Sequence, residues 1–70
     1  MAAKIDTVKM IYEIKKGDVL FQQEKTERFW VVSLEEGFFV LRSCAEQGRL
    51  KMVRFPDLIN EDWHVDSEQV

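Results

Sequence analysis

Two apolar runs joined by a short turn lie near the middle of the chain, and they constrain its fold more than any other feature. The runs are Phe29–Leu34 and Phe38–Ser43, and Glu35, Glu36 and Gly37 separate them. β-Branched and aromatic residues favour strands, and a glycine in a short connection supplies the positive φ that tight hairpins require. We therefore predict a β-hairpin over residues 29–43.

The other two glycines also stand at the start of strand-like runs. Gly17 lies in the polar turn Lys15–Asp18, and a strand is predicted to begin at Val19 and continue through Phe21. Gly48 ends the connection 44–48, and a further strand is predicted over Arg49–Phe55. The wholly polar run 22–28, between Phe21 and the hairpin, is interpreted as a loop or as the twisted tips of two strands. The glycines thus divide the chain into successive antiparallel strands.

The segment before the first of these turns fits two patterns. From Thr7 to Lys15, apolar residues recur at nearly every second position, which favours a half-buried strand. Ile5, Val8 and Tyr12 also stand at helical spacing, so a short helix over residues 5–12 is the alternative. The strand is the preferred prediction.

The run Arg49–Phe55 loses its alternation at Met52 and Val53. A shift of one residue moves every following side chain to the opposite face of a sheet. We therefore predict a β-bulge or bend near Val53 that keeps Leu50, Met52 and Phe55 inside.

The last third of the chain begins with a proline that ends this strand. Pro56 has no N–H to donate, and its φ suits the first position of a helix, so residues 56–60 are predicted to form one short helical turn. A final short strand is predicted over Trp63–Val65. The acidic end, residues 67–70, is expected to fray.

This layout resembles the SH3-like small β-barrels found in bacterial and phage proteins. The resemblance rests on Lys15–Leu20, on the hairpin Trp30–Ser43, and on Phe55–Leu58 before Trp63–Val65. The aromatic groove of the eukaryotic signalling SH3 domains has no counterpart here. The predicted fold class is mainly β, a five- to six-stranded antiparallel SH3-like barrel with one helical turn before the last strand. It would form a single domain over residues 1–70, with an ordered core over about 7–66.

Composition argues against an enzyme. A chain of 70 residues has little room for a deep cleft, and small barrels are filled by their own side chains. One cysteine, Cys44, and one histidine, His64, provide neither a disulfide nor a metal site, and their pairing for catalysis lacks an orienting group. We expect no cofactor, no small-molecule substrate and no membrane association. The free cysteine and the lack of an apolar leader predict a cytoplasmic protein.

The preferred functional prediction is a non-enzymatic binding or regulatory module that docks a protein or associates with itself. Eight aromatic side chains exceed what so small a core can enclose, so one or two should form a partly exposed docking patch. The candidates are Trp30, Phe38, Phe21 and Trp63.

The alternative is a nucleic-acid-binding accessory protein that uses a basic face of the sheet. Residues 40–54 have a net charge of +3, whereas the last sixteen residues have −5. Cations gathered beside an aromatic ring on one face would contact phosphates and bases. The overall charge of −3 weakens this alternative. The cations concerned are Arg42, Arg49, Lys51 and Arg54.

Overall fold

A computed structural model describes residues 2–46 and 48–66 of the chain, and these form six strands and two short helices. The predicted mainly β architecture is confirmed. The tail 67–70, which was expected to fray, lies outside the described residues. In chain order the elements are β1 (Ala2–Lys4), α1 (Val8–Glu13), β2 (Val19–Gln22), β3 (Arg28–Leu34), β4 (Phe38–Ser43), β5 (Leu50–Arg54), α2 (Phe55–Asn60) and β6 (Trp63–Asp66).

All six strands belong to one antiparallel sheet, in the order β1-β6-β2-β3-β4-β5. The strands β2 to β5 follow one another as a meander, and β6 returns across the molecule to pair with β2. β1 and β5 lie at the two ends of this order and do not pair with each other, so the sheet is open. The predicted closure into a barrel is not seen.

The preferred strand over Thr7–Lys15 is wrong; a helix forms there, as in the alternative, but over Val8–Glu13 and not over residues 5–12. Thr7 caps α1, because its Oγ1 accepts a hydrogen bond of 3.3 Å from the Met10 amide. Ile11 and Ile14, three residues apart, are both buried in the core, whereas Val8 and Tyr12 remain exposed. The helix prevails because its spacing buries two isoleucines together, which an isolated strand would place on opposite faces.

β1 and the residue that follows it were not predicted. Ile5 lies before the start of the predicted ordered core, yet it is fully buried, and its amide donates to the Trp63 carbonyl at 2.9 Å. β1 pairs with β6, and these two segments are about sixty residues apart in the chain. The ends of the described chain therefore lie side by side.

The predicted hairpin is confirmed as β3 and β4, which are joined by the turn Glu35-Glu36-Gly37. The predicted bulge is misplaced. It lies in β3, between Val31 and Ser33, and the pairing of β4 with β5 is regular throughout. Val53 pairs opposite Phe39, and both side chains are buried.

The regular pairing of β5 reverses two further predictions. Because Val53 faces inward, the alternating neighbours Leu50 and Met52 face outward, and they are 57% and 69% exposed. The prediction that Leu50 and Met52 lie in the interior is therefore wrong. Phe55 is half-buried and packs against the core from α2.

The last two elements follow the sequence prediction closely. α2 begins one residue before Pro56, which occupies its first turn, and it buries Leu58. β6 includes the predicted strand Trp63–Val65 and continues through Asp66.

The core lies between the inner face of the sheet and the two helices. Its buried side chains come from every region of the described chain, so no single hairpin or helix holds the fold by itself. They are Ile5, Ile11, Ile14, Leu20, Phe29, Val31, Phe39, Leu41, Val53, Leu58 and Trp63.

Ser43 is the buried polar residue that organises the connection after β4. Its Oγ donates to Glu27 Oε2 at 3.0 Å and accepts from the amides of Ala45 and Glu46. Arg49 also donates to Glu27 Oε2, at 2.9 Å. These contacts join the loop before β3 to the connection between β4 and β5.

Candidate docking surface

The solvent-facing side of β3, β4 and β5, here called the outer face, presents a group of apolar side chains. The strand register places Trp30 opposite Arg42, and Arg42 opposite Leu50, in one row across the three strands. The next row places Val40 opposite Met52. Trp30, Leu50 and Met52 are 44%, 57% and 69% exposed. The outer face thus carries exposed apolar side chains on β3 and β5, with Val40 opposite Met52 and with Arg42 between Trp30 and Leu50.

Local sequence and strand pairing together create this surface. Phe29 and Val31 bury one side of β3, and Phe39 and Leu41 bury the same side of β4. Residues between them must face solvent because side chains alternate along a strand. Trp30 is therefore turned outward by its buried neighbours, although it is as apolar as they are.

The outer face is positively charged. No acidic residue lies within β3, β4 or β5, whereas Arg42 and Arg54 stand outward on it. Among the described residues neither arginine has an ion pair. Arg54 pairs opposite Phe38 beside the apolar group, whereas Arg42 lies within it, between Trp30 and Leu50.

The predicted gathering of four cations on one face is wrong. Arg49 Nη1 lies 2.9 Å from Glu27 Oε2 and 3.6 Å from Glu46 Oε2, so its charge is shared with two acids. Lys51 points to the inner face, where its Nζ lies 5.7 Å and 5.6 Å from the ring centroids of Phe29 and Trp63. Only Arg42 and Arg54 of the four predicted nucleic-acid contacts share the outer face.

The four aromatic residues predicted to form the docking patch do not lie on one surface. Trp63 is fully buried, so this candidate cannot contact a partner from the surface. Phe21 is half-buried, with His64 stacked on it at 5.3 Å from one neighbouring strand and the Arg28 guanidinium 4.2 Å from its centroid on the other. Trp30 and the half-buried Phe38 remain on the outer face.

Leu50 and Met52 belong to this surface although the sequence pattern predicted them inside, and Val40 lies opposite Met52 on it. The signal was ambiguous, because the slip at Met52 and Val53 allowed either set of β5 residues to face inward. Only the pairing of Val53 with Phe39 resolves the register.

Cys44 and His64 do not form a reactive pair. Cys44 directly follows β4 and His64 lies in β6; β2 and β3 lie between these two strands, which corresponds to a separation of about 14 Å at roughly 4.8 Å per strand. Burial raises the pKa of the exposed Cys44 thiol, against a smaller opposing effect of Arg28. A raised pKa leaves less of the reactive thiolate.

His64 has a different neighbour. Its Nε2 lies 3.2 Å from Asp62 Oδ1, at the turn before β6. Within the described part of the chain, no group of three or more histidine, cysteine or acidic side chains is arranged to hold a metal ion.

Comparison with protein-family models, with curated proteins and with solved structures finds no match to this chain. Neither of the two helices in the described residues has the length and apolar character needed to cross a membrane.

Proposed function

We propose that this protein is a non-enzymatic docking module that binds a protein partner through its outer face. The observation that carries the proposal is the exposure of Trp30 on β3 and of Leu50 and Met52 on β5, on one face of the sheet and on either side of β4. Tryptophan and arginine are enriched at the energetic centres of protein interfaces, and contiguous exposed apolar area marks interaction sites.

The free edge of β5 supports the same proposal. β5 ends the described strand order, so one side of its backbone has no strand partner there. An exposed edge is a template for an added strand from another chain. Leu50 and Met52 stand on this edge strand, so a partner that added a strand would also cover the apolar surface.

The charge of the outer face selects the partner. Arg42 lies between Trp30 and Leu50, Arg54 lies opposite Phe38, and neither has an acid beside it within the three strands. A partner with apolar side chains and flanking carboxylates would neutralise both arginines, and complementary charge favours such a partner over others.

The strand arrangement is also the basis for proposing an SH3-like fold of bacterial or phage type. The meander β2–β5, the short helix α2 and the return of β6 to β2 support this proposal, although the sheet is open between β1 and β5. We place the protein in the cytoplasm, where its exposed single cysteine would remain reduced.

The test is affinity capture from bacterial lysate with the tagged protein, with and without nuclease. The same capture is then repeated with the Met52→Glu variant. We expect a nuclease-resistant protein partner that Met52→Glu releases, because a carboxylate would enter the apolar surface. Val8→Glu is the matched control, since Val8 is 54% exposed on α1 rather than on the sheet. Circular dichroism spectra of both variants should match the parent spectrum.

Two results would contradict the proposal. Capture that is unchanged in Met52→Glu would place the partner elsewhere on the molecule. Material captured only without nuclease, and lost on Arg42→Glu with Arg54→Glu, would favour nucleic-acid binding instead. A mass in solution that rises with concentration and falls in Met52→Glu would identify the partner as a second copy of this chain.

A further inference from the structure

A second apolar feature lies away from the outer face. It is a cleft of about 270 Å³ between α1, the β3–β4 turn and the start of α2. Its floor is formed by Ile11, Ile14 and Phe39, and its walls include Leu34 and Tyr12. The volume is below the roughly 300–1,000 Å³ of sites for drug-sized molecules, so the cleft suits one or two side chains.

Contacts between the surrounding elements hold the cleft open. The Phe55 amide donates to the Gly37 carbonyl at 3.0 Å, which attaches α2 to the turn. The Phe55 ring meets Phe39 edge-on at 5.0 Å and Tyr12 edge-on at 6.0 Å. The cleft is therefore formed before any partner arrives, and its apolar walls would be desolvated at little conformational cost.

Tyr12 is the most exposed of these residues. It is 75% exposed, although the preceding residue, Ile11, is buried. A tyrosine ring at the mouth of a cleft provides an aromatic face for a cation and a hydroxyl for a hydrogen bond.

The charge of the cleft is opposite to that of the outer face. Glu35 and Glu36 form part of its lining, and none of the residues that line it is basic. Glu36 has no ion pair among the described residues, and Glu35 accepts a hydrogen bond from Ser33 rather than from a cation. An apolar cleft whose lining includes two glutamates and no basic residue complements an apolar group that is flanked by positive charge.

We propose that this cleft binds a basic amphipathic peptide segment of another protein. One aliphatic or aromatic side chain would enter between Ile11, Phe39 and Phe55, and adjacent Lys or Arg side chains would pair with Glu35 and Glu36. Tyr12 would cover the inserted side chain. This site is separate from the outer face and selects a partner of opposite charge, so the protein would bind two different surfaces at once.

The test is a titration of the ¹⁵N-labelled protein, followed by NMR, with three capped tripeptide amides. Arg-Leu-Arg provides both features of the proposed ligand, Glu-Leu-Glu reverses the charge, and Arg-Gly-Arg removes the apolar side chain. We expect Arg-Leu-Arg to shift the amide signals of Tyr12, Glu36, Gly37 and Phe55. Each of the other two peptides should bind at least about tenfold more weakly, and added salt should weaken the Arg-Leu-Arg complex.

Matched variants separate the cleft from general charge attraction. Glu36→Lys should weaken the Arg-Leu-Arg complex about tenfold, which corresponds to about 1.4 kcal/mol. Glu24→Lys makes the same charge change at an exposed position in the loop between β2 and β3, and it should leave the affinity nearly unchanged. The dispersed spectrum of each variant reports that it is folded.

Four results would overturn the inference: equal binding of Arg-Gly-Arg, equal binding of Glu-Leu-Glu, equal weakening by Glu24→Lys, or no shift at millimolar peptide. Shifts confined to Trp30, Leu50 and Met52 would also overturn it while leaving the outer-face proposal in place. Conversely, if the lysate capture found no partner for the outer face, the peptide titration would still test the cleft independently.

Discussion

Asp62 joins three segments through one carboxylate. It is the non-glycine residue with positive φ in the described chain, at 60°, a conformation that aspartate tolerates better than most residues. Its Oδ1 lies 3.2 Å from Lys4 Nζ in β1 and 3.2 Å from His64 Nε2 in β6. The hydrogen bond from Lys4 is the main cause that lowers the Asp62 pKa; desolvation opposes it, and His64 contributes a further lowering.

We predict that Asp62→Asn removes part of the acid sensitivity of folding. Because the folded-state pKa is lowered, the carboxylate stabilises the fold above its unfolded-state pKa of about 4, and this stabilisation is lost as pH falls through the lowered value. Urea unfolding measured between about pH 5 and pH 2 should show a shallower loss of stability in Asp62→Asn than in the parent.

Asp6→Asn is the control for this prediction, since Asp6 is exposed and has no ion pair among the described residues. It should leave the pH dependence unchanged. If the stability of Asp62→Asn and that of the parent protein fell in parallel with pH, the contacts of Asp62 would not contribute to the acid sensitivity of folding.

At the scale of elements, the β3–β4 hairpin depends on the conformation of its turn. Gly37 has a φ of +91°, and a Cβ added there would meet nothing within 4 Å. A substitution is therefore opposed by backbone strain and not by a clash. The carbonyl of Gly37 also receives the Phe55 amide, so the turn holds α2 as well as the two strands.

We predict that Gly37→Ala destabilises the protein by about 1–2 kcal/mol, the cost of a left-handed conformation for a residue with a Cβ. Gly37→Asn should cost less, because asparagine visits this region more readily. Thermal unfolding followed by circular dichroism measures both. Equal stability of Gly37→Ala and the parent would mean that the turn relaxes to another conformation without loss.

For the molecule as a whole, the two tryptophans have opposite roles. Trp63 is fully buried, with its ring 5.9 Å from that of Phe29, and its carbonyl accepts the Ile5 amide. Trp30 is 44% exposed on the outer face. Chains of this size have a free energy of unfolding of roughly 4–10 kcal/mol. Truncating one large core side chain therefore removes a large part of that stability.

We predict that Trp63→Ala costs about 3–5 kcal/mol and leaves much of the protein unfolded at room temperature. Trp30→Ala should change the stability little, because its ring is already half in water. Far-UV circular dichroism and urea midpoints compare the two variants. A fully folded Trp63→Ala, or a Trp30→Ala as unstable as Trp63→Ala, would contradict this division of roles.

Residues whose conformation follows from local chemistry were predictable from the sequence. The hairpin, the turns at the three glycines, the short helix at Pro56 and the last strand all follow from β-branched runs, positive-φ requirements and the missing proline N–H. These preferences act within a few residues, so they do not depend on how the chain folds globally.

Long-range packing decided the rest. The helix α1 prevailed over a strand because Ile11 and Ile14 bury together, and β5 turned Met52 outward because Val53 pairs with Phe39. The same pairing separated the predicted cations and placed Lys51 over the core aromatics. Of the outer face, the sequence predicted the roles of Trp30 and Phe38. It gave no prediction of the cleft. Both surfaces are built by segments far apart in the chain, whose register and contacts no local pattern specifies.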